Sequence, residues 1–136
     1  MADAAGLHHE YLDTLRSRDF ARMRELMHAD YVYMSGDGVE QEGAEAGVAV
    51  AQLYTAAFPD LGFTVEHESS CGDTSVIEFR ARGTQTGDLP GIPATGRTVE
   101  LCVCNIIEVR DGLIHREREY YDSAAMLQQL GVLPSE

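Results

Sequence analysis

The chain has 136 residues, 44% hydrophobic and 24% charged, with 23 acidic against 10 basic side chains and a formal charge of −13. That length suits a single domain, residues 1–136, with a core of its own. The negative surface argues against nucleic acid and anionic membranes as partners, and no run of about 18 apolar residues is present to span a bilayer.

Residues 4–16 place Leu7, Tyr11, Leu12 and Leu15 at helical spacing and predict a first helix. Asp19 can cap a second, short helix whose apolar face is Phe20, Met23, Leu26 and Met27. Tyr31 to Met34 reads as a short aromatic strand, ended by the turn cluster Ser35-Gly36-Asp37-Gly38. Gly43 to Phe58 is a third helix, rich in Ala and stopped by Pro59.

From there the apolar period changes to two. Phe63, Val65 and His67 alternate with Thr64, Glu66 and Glu68 in a first long strand. Ser75 to Thr84 forms a second, with Ile77, Phe79 and Ala81 on one side. Residues 86–97 hold three Gly and two Pro and predict a structured loop. Val99 to Val109 is the third long strand. Arg110-Asp111-Gly112 turns the chain into a fourth, Leu113 to Tyr121, and Ser123 caps a last helix through Leu130. Helices segregated from a meander of antiparallel strands define an α+β fold.

The first ten residues lack the basic and apolar regions of a secretory signal. The three cysteines, Cys71, Cys102 and Cys104, are an odd number, and the last two share a strand face. All three are expected to be reduced in a cytoplasmic protein. A metal role for the Cys102-x-Cys104 pair is weakly supported, since no second Cys or His pair stands at zinc-ligand spacing, and no metal site is predicted.

The strand Leu-Ile-His-Arg-Glu-Arg-Glu-Tyr-Tyr, 113–121, carries the chemistry. Period 2 sets Leu113, His115, Glu117, Glu119 and Tyr121 on one face. Two carboxylates on a half-apolar face are costly to bury without a role. The alternative is an edge strand with a solvated face. A three-residue hairpin loop, Arg110-Asp111-Gly112, would pair Asn105 with Glu117 and Val103 with Glu119. It would gather Val103, Ile107, Val109 and Tyr121 on the same face, whereas a two-residue loop would split Asn105 from the glutamates. A carboxyl projecting into such an apolar cavity has a raised pKa suited to acid/base work near neutral pH. Asn105 could orient a substrate or stabilise an oxyanion. Tyr33 and Tyr54 can bring hydroxyls from the helix side. His8, His9, His28 and His67 carry no assigned role.

The chain resembles the SnoaL-like polyketide cyclases, within the nuclear-transport-factor-2-like and ketosteroid-isomerase-like superfamily. The matching stretches are A-F-P-D-L-G-F (57–63), R-G-T-Q-T-G-D-L-P-G-I-P-A-T-G-R (82–97), V-R-D-G-L-I, and Y-Y-D-S-A-A-M-L-Q-Q-L-G (120–131). The resemblance implies a cone-like α+β barrel of curved antiparallel sheet with N-terminal helices closing its pocket. It also implies no metal, no organic cofactor, and a homodimer or homotetramer. The family's catalytic Asp, often in H-W-D seven residues past the hairpin Gly, falls on Glu119. The family's two pocket histidines fall on Glu117 and Asn105.

Two functions follow as expectations. The first is a cofactor-independent acid/base enzyme on a hydrophobic small molecule of secondary metabolism, closing a ring by an aldol step or opening an epoxide. Its catalytic residues would be Glu119, Asn105 and Glu117, and its substrate-binding residues Tyr33, Tyr54, Phe58, Val103, Ile107 and Tyr121. The alternative is a non-catalytic binding or dimerisation domain, in which Arg116, Arg118 or Arg80 satisfies the glutamates and the cavity is filled.

Overall fold

The computed structural model describes residues 3–133. Helix α1 (Ala4–Ser17) starts where the Asp3 side chain accepts from Gly6 N at 2.7 Å, and it ends at a left-handed Arg18. Asp19 caps α2 (Phe20–Glu25). Met27 does not extend α2, because it opens β1 (Met27–Ser35). The sheet captures the chain there through Ile114 N, which donates to Leu26 O at 2.8 Å. Strand β2 (Glu40–Glu42) has three exposed polar residues and so left no apolar pattern to read.

Helix α3 (Ala44–Ala57) follows Gly43 and covers the sheet. Strands β3 (Gly62–Cys71), β4 (Thr74–Thr84), β5 (Thr98–Arg110) and β6 (Leu113–Tyr120) form the meander. Helix α4 (Ser123–Leu130) is capped by Asp122, whose side chain accepts from Ala125 N, and not by Ser123.

The sheet has six strands in the order β2-β1-β6-β5-β4-β3. It is curved, open at its edges, and mixed, since β1 runs parallel to β6 while the other pairs are antiparallel. An aliphatic and aromatic core lies between its concave face and the helices, with Leu7 and Leu12 from α1 packed against Tyr31, Ile77, Ile107 and Ile114. No helix among the described residues is long and apolar enough to cross a membrane.

A second cluster closes one end of the concave face. Ala57, Phe58, Leu89, Val99, Met126 and Leu130 pack together there. The loop after β4 is held around the fully buried Gln85. Its side chain donates to Ile92 O and accepts from Thr95 N and Oγ1.

The β5–β6 turn decides which side chains face inward. Arg110 pairs with Leu113, so the loop has two residues, Asp111 and Gly112, with φ of 55° and 74°. Both are left-handed, as a tight hairpin with the native twist requires. The expected three-residue loop is therefore absent. Parity is restored one step later, because Val109 pairs with Ile114 while Glu108 pairs with Arg116, leaving His115 as an unpaired bulge residue. Ile114, fully buried, takes the inward position expected of His115. Asn105 then lies opposite Glu119 and Ile107 opposite Glu117, in place of the expected Asn105–Glu117 and Val103–Glu119 pairs.

Candidate active site

The bulge returns Glu117 and Glu119 to the concave face beside Asn105. Asn105 is 1% exposed and donates from its amide to Glu117 Oε2 and to Glu119 Oε2, both at 2.8 Å. Glu117 is 3% exposed, far from a rim position. Beyond Asn105 it accepts from Tyr11 Oη at 2.7 and 2.9 Å and from Tyr31 Oη at 2.5 Å. Four donated contacts surround its two oxygens. Among the described residues Glu119 has a single donor, Asn105, and it faces the cavity.

The electrostatics follow from this arrangement. Burial pushes the Glu119 carboxyl up to about 7, helped by the neighbouring Glu117 charge and opposed by the Asn105 hydrogen bond. Burial also raises Glu117, while its bonds from Tyr31, Asn105 and Tyr11 favour the carboxylate. Tyr11 and Tyr31 are held well above the ordinary phenol value by burial and by the Glu117 charge, so they remain donors. None of the predicted arginine partners reaches the pair. Arg80 bonds Glu66, Arg116 bonds Glu40 and Arg118 bonds Glu108. Among the described residues neither glutamate makes an ion pair.

The cavity above the glutamates has a volume of about 130 Å³. Its walls are apolar, from Leu15 on α1, Val50, Ala51 and Phe58 on or next to α3, and Phe63, Phe79, Leu101 and Val103 on the sheet. Hydroxyls enter from Tyr33, Tyr54 and Tyr121. Tyr54 Oη and Tyr121 Oη pair at 2.9 Å, whereas among the described residues Tyr33 Oη has no hydrogen-bond partner. Burial, then the Glu119 charge, raises Tyr33, so its hydroxyl stays protonated.

Of the positions predicted to bind substrate, Tyr33, Tyr54, Phe58, Val103 and Tyr121 line this cavity. Ile107 does not. It pairs with Glu117 and is fully buried in the core behind it. Asn105 lies beneath the two carboxyls, bonded to both, and does not line the cavity.

Three residues of the constellation carried no signal that marked them. Tyr11 and Tyr31 read as core aromatics, and His8 as one of several scattered histidines. His8 is fully buried, with Nε2 at 2.7 Å from Asn105 Oδ1 and Nδ1 at 2.7 Å from Ser75 Oγ. Its partners lie 97 and 67 residues away in the chain, a separation no local pattern encodes.

The profile of the SnoaL-like polyketide cyclase family matches residues 6–130. The chain belongs to this family. Among solved structures, the SnoaL-like chain is similar to IdmH from Streptomyces antibioticus, a candidate polyketide cyclase. The two are 31% identical over 96% of this chain and 100% of that one, with a TM-score of 0.82. It shares its fold with AclR from Streptomyces galilaeus, a candidate hydroxylase, at 21% identity, 98% and 83% coverage and a TM-score of 0.85. An LEH-like epoxide hydrolase of M. tuberculosis has the same fold, at 20% identity, 93% and 88% coverage and a TM-score of 0.71. No curated protein matches the chain. The positions to which the resemblance assigns the family's acid and its two histidines are held here by Glu119, Glu117 and Asn105. A histidine does reach the cluster, but from α1.

Proposed function

We propose that the protein is an acid/base enzyme that closes a ring in a hydrophobic carbonyl compound by an intramolecular aldol step. The observation that carries this reading is the inequality of the two glutamates. Glu117 is saturated by donors, whereas Glu119 faces an apolar cavity with a pKa raised to about 7. A single working carboxyl suits a reaction in which one group first takes a proton and then returns it.

In this scheme the Glu119 carboxylate removes a proton from the carbon next to a carbonyl. The unpartnered Tyr33 hydroxyl donates to the enolate oxygen as charge develops there. The enolate carbon attacks a second carbonyl of the same molecule, forming the C–C bond, and that oxygen takes the proton back from Glu119. No atom is gained or lost, and every group needed is supplied by the chain. Asn105 acts through the glutamates by holding their oxygens apart and in place. Burial, and secondarily the Glu117 charge, raises the basicity of Glu119.

The size of the cavity bounds the substrate. About 130 Å³ is close to the ~150 Å³ of an engineered cavity that takes up benzene. One ring therefore fits at the glutamates, and the rest of a larger molecule must extend toward the mouth. The likeness to IdmH supports cyclase chemistry; the epoxide hydrolase shares only the fold.

The first half-reaction can be tested with ring-sized aryl ketones, beginning with acetophenone, by following exchange of their α-hydrogens in D2O by NMR. The folded wild-type protein should accelerate exchange, and Glu119→Gln should lower the rate by roughly 100-fold or more. No acceleration by the wild type, or full exchange by Glu119→Gln, would overturn the assignment. Conversion of an added epoxide to its diol, without ketone exchange, would replace it with epoxide opening.

A further inference from the structure

We infer that His8 is a positioning residue of this site: with Ser75 it holds the Asn105 amide in the one orientation that gives an N–H to each glutamate. Its catalytic meaning rests on the reading of Glu119 above, but the geometry stands by itself.

An asparagine amide presents an oxygen on one side and an NH2 group on the other. Two carboxyl oxygens at 2.8 Å claim the NH2 side of Asn105. Its Oδ1 must then face His8 Nε2, 2.7 Å away, which therefore carries a proton. In a neutral imidazole that leaves Nδ1 as an acceptor, and Ser75 Oγ, 2.7 Å away, donates to it. The five residues, His8, Ser75, Asn105, Glu117 and Glu119, come from α1, β4, β5 and β6 and are satisfied only in this one sense.

The opposite tautomer would make Nε2 an acceptor. The amide would have to turn, presenting Oδ1 to two oxygens that in the carboxylate form each need a donor. An unsatisfied buried donor or acceptor carries a large penalty, so the chain Ser75–His8–Asn105 resists that turn. Burial lowers His8 to about 4, with the Asn105 bond opposing and His9 adding to the shift. The neutral ring is thus retained across the pH range in which Glu119 titrates.

The charged and titratable groups facing this chain are few. Glu119 is flanked by Glu117 on β6, Tyr33 on β1, Tyr54 on α3, Tyr11 on α1 and Cys104 on β5. His8 is near His9 and Glu68. Tyr31 on β1 bonds Glu117, and Tyr121, just past β6, and Arg82 on β4 line the same cavity. Among the described residues no arginine bonds either glutamate, so loosening Asn105 should register on Glu119.

The test is titration of the protein without substrate, carrying 13C at the glutamate carboxyls, together with 15N spectra of the His8 ring. In the wild type Glu119 should titrate near 7, and the His8 proton should sit on Nε2. His8→Leu should raise the Glu119 midpoint by roughly one pH unit, a tenfold change in proton affinity. Ser75→Ala should raise it less. His8→Gln, which can still offer an amide N–H to Asn105 Oδ1, should bring it back toward the wild-type value.

A proton found on Nδ1 would overturn the assignment, as would an unchanged Glu119 midpoint in folded His8→Leu or no recovery in His8→Gln. If His8→Leu fails to fold, Ser75→Ala and the wild-type 15N spectrum still decide. Should Glu119→Gln keep full ketone exchange while the titrations behave as expected, the catalytic reading falls and the positioning role of His8 remains.

Discussion

At the residue scale the site depends on an atom that is absent. A Cβ at Gly47 would lie 2.6 Å from Tyr31 Oη and 2.6 Å from its Cε1, and Tyr31 is the residue that reaches Glu117 Oε1. Gly47 on α3 therefore lets the phenol pass under the helix to the carboxylate. Gly47→Ala must displace the ring or lift the helix, and overpacking of this kind typically costs about 1–3 kcal/mol. Urea unfolding should show that loss, and Glu117 should titrate higher once its Tyr31 donor is displaced. A stability within about 0.5 kcal/mol of wild type would mean that α3 adjusts freely. None of this was legible beforehand. Gly47 read as a helix glycine and Tyr31 as a strand aromatic, because the contact between them belongs to two elements packed face to face.

At the element scale, β6 shows how a single extra residue rescues a face. The two-residue Asp111-Gly112 turn alone would have sent Glu117 and Glu119 to the outer side, as the sequence reading warned. The His115 bulge shifts the alternation back. The shared face of Asn105, Glu117 and Glu119 was therefore anticipated through a loop that does not exist, and the pairing within that face is displaced by two residues. Turn residues identify a hairpin, but a bulge leaves no mark in composition. Deleting His115 should remove the bulge and leave Val109–Ile114, Glu108–Arg116, Ile107–Glu117 and Asn105–Glu119 in an unbroken ladder, so the glutamates should stay inside and unfolding should stay cooperative. His115→Ala keeps the extra residue and should change stability by less than about 1 kcal/mol. A deletion variant that lost cooperative unfolding would contradict this account of the register.

For the whole molecule, two buried groups pull stability in opposite directions with pH. Glu119 has a folded value of about 7 against an ordinary 4.5. Its contribution is complete below pH 4.5 and is lost as pH rises through 7. His8 has a folded value of about 4 against 6.5, so its contribution is present above pH 6.5 and is lost as pH falls through 4. Between pH 4.5 and 6.5 the two slopes oppose each other. Glu119→Gln should remove one of them, and its stability relative to wild type should rise by on the order of 2 kcal/mol from pH 4.5 to 8. Thermal unfolding across that range measures this, and a constant offset would contradict the raised Glu119 value.

By itself the sequence determined the α+β class, the helices and long strands to within a few residues, and the family. Each of these is written in local periodicity, capping residues and turn chemistry, which act over a few residues. It also singled out Glu119, Glu117 and Asn105 as a group. Only the tertiary structure decided that Glu117 is the saturated carboxyl and Glu119 the open one, that Ile107 stands behind them, and that Tyr11, Tyr31 and His8 complete the cluster. Those facts depend on donors carried by α1 and β1 into a cavity closed by β4, β5 and β6. A hydrogen-bond partner 97 residues distant is chosen by packing, and packing exists only once the chain has folded.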